Sequence, residues 1–225
     1  MKQQQVQEHF ARQADEYEQL MVKLVPHYLF QHQVIEDLLP QENREYHVLD
    51  LGCGNGILSE LVLRKLPRAR VVGFDLTENM LQAYRKKLAR FADRFSLQSG
   101  DFRVDPIGSG YDIILAGLTL HHLTWQERRS FYLHLFSALN SGGKFIARDI
   151  IIDEDREVSE YHAFQWKKFM RSQGEDPEFW YGKHLEKDHP MTLADHFSWL
   201  KEAGFTKTAC HWRLYNFAVT SAEKT

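Results

Sequence analysis

A glycine-rich turn between a short apolar strand and a helix constrains this chain more than any other feature. Residues 48–56 read Val-Leu-Asp-Leu-Gly-Cys-Gly-Asn-Gly, and apolar residues at helical spacing follow from Ile57. Gly52, Gly54 and Gly56 let the backbone approach a ligand closely and adopt positive φ without a Cβ clash. The start of the helix adds unpaired N–H groups. The sequence therefore predicts a nucleotide-sized binding site, although glycine turns that bind nothing share this pattern.

The spacing of the glycines and the acid before them argue against a phosphate ligand. The pattern is Gly-x-Gly-x-Gly, whereas dinucleotide-binding proteins use Gly-x-Gly-x-x-Gly. Asp50 would repel a pyrophosphate, but it suits a ligand with a positive end. S-adenosylmethionine is such a ligand, because it carries a sulfonium and an α-amino group and no phosphate.

Later strands end in acidic residues at the spacing of a nucleotide-binding fold. Arg70–Asp75 reads as a strand whose final carboxylate lies about 20 residues beyond the glycine turn, where βαβ units hold ribose hydroxyls. The alternative role for Asp75 is a helix N-cap. Thr77 is better placed for that role, because the apolar residues 80, 81, 84 and 88 then share one helix face. A third strand, 95–99, runs into Asp101, which alone would be an ordinary turn residue.

A fourth strand, 111–117, continues into Leu118–Leu123, and Ser141-Gly142-Gly143 is read as a turn from a helix at 125–140 into a fifth strand, 144–150. With these motifs in order, residues 46–150 resemble the class I S-adenosylmethionine-dependent methyltransferases. The resemblance implies an α/β fold with a doubly wound, seven-stranded, mostly parallel sheet. It implies S-adenosylmethionine as cofactor, with contacts from Tyr28, Asp50, Gly52, Cys53, Gly54, Gly56, Asp75, Leu76, Met80, Gly100, Asp101, Phe102, Ala116, Gly117 and His121.

The resemblance also assigns roles within that set. Asp101 is expected to contact the adenine amine, and Phe102 to lie against the adenine ring. The fourth motif lines the methyl-donor end of the pocket.

Length and composition fit one domain over residues 1–225. We expect a helical cap at 1–45, a cofactor-binding core at 46–150, a helical substrate-side insertion at 151–204 and a closing antiparallel hairpin at 205–221. The cap comprises an amphipathic helix over 4–22 and a second helix over 26–39. The hairpin strands are expected at about 205–211 and 213–220.

Charge and cysteine content indicate which partners and which cellular compartment to expect for the protein. The net charge is −3, from 28 basic and 31 acidic residues, so no basic surplus favours nucleic acid as a partner. Two cysteines, one of them in the glycine turn, indicate reduced thiols rather than a disulfide framework. The polar N-terminus and the lack of a long apolar run predict a cytoplasmic protein with no membrane span.

Aromatic residues are concentrated in the insertion. A helix over 155–173 is followed by a predicted loop at 174–184, and Thr192 is expected to cap a last helix that ends at Gly204. These aromatic side chains could form a substrate wall, a homodimer surface or simply core. The candidate substrate-binding residues, including one in the cap, are Tyr17, Tyr161, Trp166, Tyr181 and Lys183.

His121 and His122 follow the fourth strand and are candidate catalytic bases, because imidazole titrates near neutral pH. A base is needed only where the methyl acceptor carries a proton. The alternative is structural, with one histidine in the pocket wall and the other at a helix cap. Metal binding is disfavoured, because the two histidines are adjacent instead of at a helical i, i+4 spacing and no carboxylate is expected nearby to complete a ligand set.

The two ends of the chain are similar to the carboxy-S-adenosylmethionine synthase branch, which moves a carboxylate from prephenate onto the cofactor for wobble-uridine modification of transfer RNA. In that branch the tyrosine at the position of Tyr28 contacts the cofactor. An arginine in the insertion holds the added carboxylate. Here no arginine lies between Arg171 and Arg213, and Gly117 replaces the branch's asparagine.

These departures favour a methyltransferase that acts on a small-molecule acceptor. The first alternative is synthase-like carboxyl transfer, with Lys183 as the substitute cation. The second alternative is a cofactor-binding partner protein without catalysis.

Overall fold

The computed structural model describes residues 17–225 as a central sheet with helices on both faces. The predicted first helix lies outside the described residues over 4–16, and its described part, α1, is helical over 17–24. None of the helices in residues 17–225 has both the length and the apolar content that crossing a membrane requires. The other helices are α2 (Tyr28–Leu38), α3 (Ile57–Lys65), α4 (Glu78–Lys87), α5 (Trp125–Ala138), α6 (Arg156–Ser172), α7 (Pro177–Lys187) and α8 (Leu193–Glu202).

The strand order places the end of β1 at the point where the chain changes direction across the sheet. The order is β3-β2-β1-β4-β5-β8-β7, with parallel pairing from β3 to β5 and an antiparallel β7–β8 hairpin at one edge. Ligands of open α/β sheets bind at such switch points, beyond the carboxyl ends of the strands. The strands are β1 (His47–Leu51), β2 (Arg70–Asp75), β3 (Phe95–Ser99), β4 (Tyr111–Gly117), β5 (Leu139–Ile152), β6 (Met191–Thr192), β7 (Thr206–Leu214) and β8 (Phe217–Glu223).

Alternation along the central strands separates two apolar layers. In β1, Leu49 and Leu51 pack with the α5 and α8 side, whereas Val48 packs with α2, α3 and α4. Such strands are buried on both faces, which explains their nearly continuous apolar sequence. A third cluster joins α1 and α2 to α6 through Leu24, Tyr28, Trp166 and Met170, among others. The cap and the insertion thus pack against each other above the sheet.

The structure confirms the fold class and corrects several element boundaries. The seven predicted strands are present, and a short eighth strand, β6, pairs with β5. The predicted loop at 174–184 is wrong. Asp176 accepts hydrogen bonds from the N–H groups of Glu178 and Phe179, and Pro177 follows at the first helical position, so α7 begins there.

Two strand boundaries also differ from the predictions. The strand β5 begins at Leu139, which pairs with Tyr111, so Ser141-Gly142-Gly143 is an irregularity within the strand rather than a turn before it. In the closing hairpin the turn is formed by Tyr215 and Asn216. The strand β7 continues to Leu214 because its pairing with β8 extends through Leu214 opposite Phe217.

A buried histidine makes the stability of the fold sensitive to acid. His196 Nδ1 lies 2.7 Å from the Tyr132 hydroxyl, and its Nε2 lies 3.0 Å from Thr220 Oγ1. Burial, with a contribution from nearby Arg128, lowers the pKa of His196 to about 4. The unfolded chain, with a histidine pKa of about 6.5, therefore binds more protons between pH 6.5 and 4. Stability is lost as the pH falls through that window.

His196→Gln is expected to remove this part of the acid sensitivity. The difference between wild type and variant in the free energy of unfolding should change by about 1.4 kcal/mol per pH unit between pH 6.5 and 4. Urea unfolding at a series of pH values measures it. Parallel pH profiles for the two proteins would show that the ring does not titrate in this way.

Candidate active site

A cleft of about 440 Å³ opens at the carboxyl ends of the central strands. It lies where the strand order reverses, between β1 and β4, as the switch-point rule requires. Eight of the predicted cofactor residues line it, together with the substrate candidate Tyr17 and the catalytic candidate His122. Those eight residues are Gly52, Gly54, Asp75, Leu76, Met80, Asp101, Phe102 and Gly117.

The three glycines of the turn are required for different reasons. All three have positive φ, between 52° and 84°. A Cβ on Gly52 would lie 2.2 Å from Thr119 Oγ1, and one on Gly56 would lie 2.6 Å from the Tyr84 ring, so both positions are constrained by packing. A Cβ on Gly54 would meet nothing within 4 Å. Gly54 therefore faces the open space of the cleft, where a side chain would compete with a ligand.

Gly54→Ala and Gly56→Ala form a matched pair of variants. An alanine at positive φ costs about 1–2 kcal/mol at either position. Gly56→Ala should lose about 1–3 kcal/mol more, because the new methyl group meets the Tyr84 ring. Urea unfolding should therefore rank Gly56→Ala as the less stable variant, whereas titration with S-adenosylhomocysteine should show weaker binding by folded Gly54→Ala. The opposite stability ranking would contradict the assigned packing.

Asp75 holds the glycine turn and retains the capacity to accept more hydrogen bonds. Its Oδ2 accepts the Gly54 N–H at 2.8 Å, and its Oδ1 accepts the N–H and hydroxyl of Thr77, both at 2.9 Å. Thr77 is the N-cap residue of α4, as predicted, but its hydroxyl donates to Asp75 instead of capping the helix. An ionised carboxylate has about four acceptor positions, so Asp75, with three of them occupied, can still accept one ligand hydroxyl.

The Asp101 side of the cleft contains an arginine that the sequence analysis missed. Arg103 donates from Nε to both oxygens of Asp101, at 2.9 and 3.0 Å, and from Nη2 to Oδ2 at 2.6 Å. These side-chain hydrogen bonds lower the pKa of Asp101. Phe102 packs against Phe131 with ring centroids 5.1 Å apart. Gly100 lies behind this wall, against Asp105 and Phe74.

Asp50 lies beneath the turn and not in the lining of the cleft. It is almost fully buried, and its Oδ2 accepts hydrogen bonds from the N–H of Ser59 at 3.0 Å and from its hydroxyl at 2.6 Å. Burial raises the pKa of Asp50 to about 6, against the effect of those hydrogen bonds. Its position near the start of α3 supports the turn from below. The other predicted cofactor residues outside the lining are Tyr28, Cys53, Gly56, Gly100, Ala116 and His121.

The structure separates the roles of the two adjacent histidines. His121 is buried, and its Nδ1 lies 2.5 Å from Asp149 Oδ1. His122 lines the cleft with a side chain that is 57% exposed, and its Nδ1 lies 3.0 Å from Asp188 Oδ1. His184 Nδ1 contacts the other oxygen of Asp188 at 2.7 Å. His122 is therefore the histidine whose ring is both oriented by a carboxylate and open to a ligand.

The carboxylate Asp188 was missed because it lies 66 residues from His122 in sequence. The expectation that no carboxylate lies near the histidines is wrong, because α7 brings Asp188 to them. Ligand atoms of His121, His122 and Asp188 all lie within 4.8 Å of one another, a spacing that could hold a metal ion. Burial alone would raise the pKa of Asp188, but hydrogen bonds with His122 and His184 outweigh that effect and lower it.

Of the five substrate candidates, the structure brings Tyr17 to the lining of the cleft. Burial raises the pKa of the Tyr17 hydroxyl to about 12. Trp166 lies in the core, where its Nε1 donates to Leu24 O at 2.7 Å, and Tyr181 packs edge-on against it. Packing in the core therefore explains the positions of Trp166 and Tyr181, and neither residue lines the cleft. Tyr161 and Lys183 are exposed on α6 and α7, with the Lys183 ammonium 4.3 Å from the centre of the Phe179 ring.

Residues 48–143 match the family described as a methyltransferase domain. The chain is 29% identical over 186 residues to the carboxy-S-adenosyl-L-methionine synthase of Chromohalobacter salexigens, covering 79% of this chain and 68% of that protein. It is 26% identical over 222 residues to the synthase of the same name from Wolinella succinogenes, covering 95% and 91%. These matches support a class I S-adenosylmethionine-dependent methyltransferase. The predicted family and its cofactor are thereby confirmed.

Solved structures agree on the fold of this methyltransferase. An O-methyltransferase family 2 protein from Planctomyces limnophilus, solved in complex with apigenin, superposes with a TM-score of 0.69 at 21% identity. The superposition covers 94% of this chain but 62% of that protein, so this methyltransferase spans less than two thirds of its length. The likeness therefore concerns the shared fold.

The residues of the cleft fit S-adenosylmethionine. Gly54 leaves space where a side chain would intrude, and Asp75 has one spare acceptor position for a ribose hydroxyl. Phe102, Leu76 and Met80 supply an apolar wall for a purine. The volume of about 440 Å³ lies within the usual range for small-molecule sites.

Proposed function

We propose that this methyltransferase methylates a hydroxyl group of a small-molecule acceptor, with His122 as general base. The observation that carries the proposal is the position of His122, in the same cleft as the cofactor-binding residues and hydrogen-bonded to Asp188. A base is useful only where the acceptor atom carries a proton at neutral pH. Its presence in the cleft therefore favours a protonated nucleophile such as a hydroxyl.

Asp75, Asp101 and the backbone at Gly54 would hold the nucleoside part of the cofactor, with Phe102 against the adenine. S-adenosylmethionine supplies a methyl carbon already activated by its sulfonium for in-line displacement. Because that carbon needs no further activation, the protein contributes mainly by positioning the acceptor. Tyr17 lines the cap side of the cleft and would contact the acceptor there.

The hydrogen bond to Asp188 prepares His122 for proton transfer. With Nδ1–H donating to the carboxylate, the lone pair of the neutral ring lies on Nε2. That nitrogen would accept the proton of the acceptor hydroxyl as the oxygen attacks. Asp188 is itself fixed by His184, so the orientation of the base is set by two elements, the end of the fourth motif and α7.

Carboxyl transfer is the second candidate function, supported by the similarity of the chain to two carboxy-S-adenosyl-L-methionine synthases. The position of Lys183 counts against the predicted substitute cation, because Lys183 lies outside the lining of the cleft. The proposal also includes a cytoplasmic location and an acceptor other than nucleic acid. A homodimer through the insertion is part of it too, supported by the exposed side chains of Tyr161, Phe164 and Phe179.

The test is a screen with methyl-labelled S-adenosylmethionine and a panel of phenols, alcohols, amines and thiols. We expect S-adenosylhomocysteine to form together with a labelled ether from a hydroxyl acceptor. Turnover confined to acceptors whose reacting atom carries no proton would contradict the role of His122. Formation of a carboxylated cofactor from prephenate, without methyl transfer, would favour the second candidate.

A further inference from the structure

Two of the three guanidinium nitrogens of a buried arginine beside the cleft have no hydrogen-bond partner among residues 17–225. Arg148, on β5, has 2% of its surface exposed. Within the part of the chain that the structure describes, neither its Nε nor its Nη1 has a hydrogen-bond partner. The guanidinium lies 4.5 Å from the centre of the Tyr28 ring. This cation–π contact compensates only in part for the loss of water around a buried charge.

Arg128, another buried arginine of this region, has the hydrogen bonds that a structural role requires. Arg128 donates from Nη2 to Leu120 O at 2.5 Å and to His189 O at 3.1 Å, and its Nη1 lies 3.8 Å from Asp149. Arg128 thereby ties α5 to the fourth motif and to the segment after α7. Among the described residues, no comparable set of hydrogen bonds explains why Arg148 is buried as a charged group.

Arg148 lies directly beside the floor of the cleft. It pairs with Gly117 across the β4–β5 ladder, and Gly117 lines the cleft. Its Nη2 would lie 3.5 Å from a Cβ on Gly117, so the missing side chain leaves the guanidinium close to the cleft. Tyr17, which also lines the cleft, lies within electrostatic reach of Arg148. The charge is thus at the strand ends where a ligand would approach.

We propose that Arg148 binds a carboxylate group of a small molecule held in the cleft. A guanidinium presents parallel N–H donors that match the two oxygens of a carboxylate, and these charge-assisted bonds are among the strongest in proteins. The inference rests on the proposed function, which supplies two sources of that carboxylate. One source is the amino-acid end of the cofactor, and the other is an acidic acceptor.

Calorimetric titrations of the full chain distinguish the two sources. The first pair of probes is S-adenosylhomocysteine and its decarboxylated analogue. The second pair, added to protein saturated with S-adenosylhomocysteine, is 4-hydroxybenzoate and 4-hydroxybenzamide. The variants are Arg148→Met, which keeps the length of the side chain without its charge, and Arg148→Lys, with Arg129→Met as an exposed arginine control.

In the probe pair whose carboxylate Arg148 binds, we expect Arg148→Met to weaken binding of the acidic probe about 10- to 100-fold. Binding of its neutral counterpart should weaken less than about 3-fold. Arg148→Lys should recover part of the loss, and Arg129→Met should bind like wild type. Loss confined to the cofactor pair identifies the amino-acid end, and loss confined to the benzoate pair identifies the acceptor. Equal behaviour of acidic and neutral probes in both pairs would overturn the inference.

Thermal unfolding of the ligand-free proteins separates binding from a structural role. Arg148→Met should unfold at the same temperature as wild type or a few degrees higher, because an unpaired buried charge is replaced by an apolar side chain. A large decrease would indicate that Arg148 is structural. If wild type itself does not bind S-adenosylhomocysteine, the proposed function fails, which is a different result from equal binding by wild type and Arg148→Met.

Discussion

Replacement of His122 by asparagine is expected to lower kcat by about 100- to 10,000-fold, the usual contribution of a positioned general base. Asparagine retains a polar group near Asp188 but has no basic nitrogen to accept the acceptor's proton. Because the proposed role places His122 against the acceptor and not against the nucleoside, the Kd for S-adenosylhomocysteine should stay within about 3-fold of wild type. Single-turnover methyl transfer and calorimetry measure the two quantities.

Two further variants help to interpret the effect of His122→Asn on kcat. His134→Asn changes an exposed histidine on α5 and should leave kcat unchanged. Asp188→Asn removes the charge that orients the ring of His122 and should lower kcat with little effect on cofactor affinity. Wild-type kcat in His122→Asn would contradict the assignment of the base. An equal loss of cofactor affinity in both variants would indicate a structural network instead.

Replacement of Asp75 by alanine is expected to weaken cofactor binding by about 10- to 150-fold. One hydroxyl hydrogen bond to a charged acceptor contributes about 1.5–3 kcal/mol, and the variant loses it. It also loses the bond that fixes the Gly54 N–H. Calorimetric titration with S-adenosylhomocysteine measures the change in Kd.

Asp75→Asn should weaken cofactor binding to an intermediate extent. Its amide oxygen can still accept the Gly54 N–H, so its loss of affinity should fall between those of wild type and Asp75→Ala. Asp93→Ala, an exposed carboxylate near the start of β3, serves as the matched control and should bind like wild type. Unchanged cofactor affinity in Asp75→Ala would contradict the placement of the ribose beside Asp75.

The parts of the site that could be predicted from sequence are those built from local signals. The glycine turn after β1 and Asp75 after β2 depend on residues that adjoin a strand end, and a parallel sheet brings all such ends to one edge. Those signals need no knowledge of distant contacts, which is why Gly54, Asp75 and Phe102 are found in the lining of the cleft.

The parts that could not be predicted depend on long-range packing. Asp188 reaches His122 only because α7 folds back across the fourth motif, and nothing in the sequence around Asp188 indicates that neighbour. Arg148 reads as one residue of an apolar strand, and its lack of partners is visible only in three dimensions. By residue type and position Asp50 resembles a ligand contact, but its carboxylate accepts hydrogen bonds from Ser59 beneath the turn.

The loop predicted in place of α7 has a different cause. Aromatic density and two glycines, Gly174 and Gly182, obscured the helix start, although Asp176 followed by Pro177 is a local signal for one. Trp166 shows the reverse limitation, because a tryptophan on an amphipathic helix has the same sequence pattern in a core as in a substrate wall.

A crystal structure with S-adenosylhomocysteine bound tests the central claim most directly. We expect a ribose hydroxyl within hydrogen-bond distance of Asp75, the adenine against Phe102 and the thioether sulfur facing the part of the cleft that His122 lines. A ligand bound elsewhere on the chain would contradict the account. An empty cleft at saturating ligand would do the same.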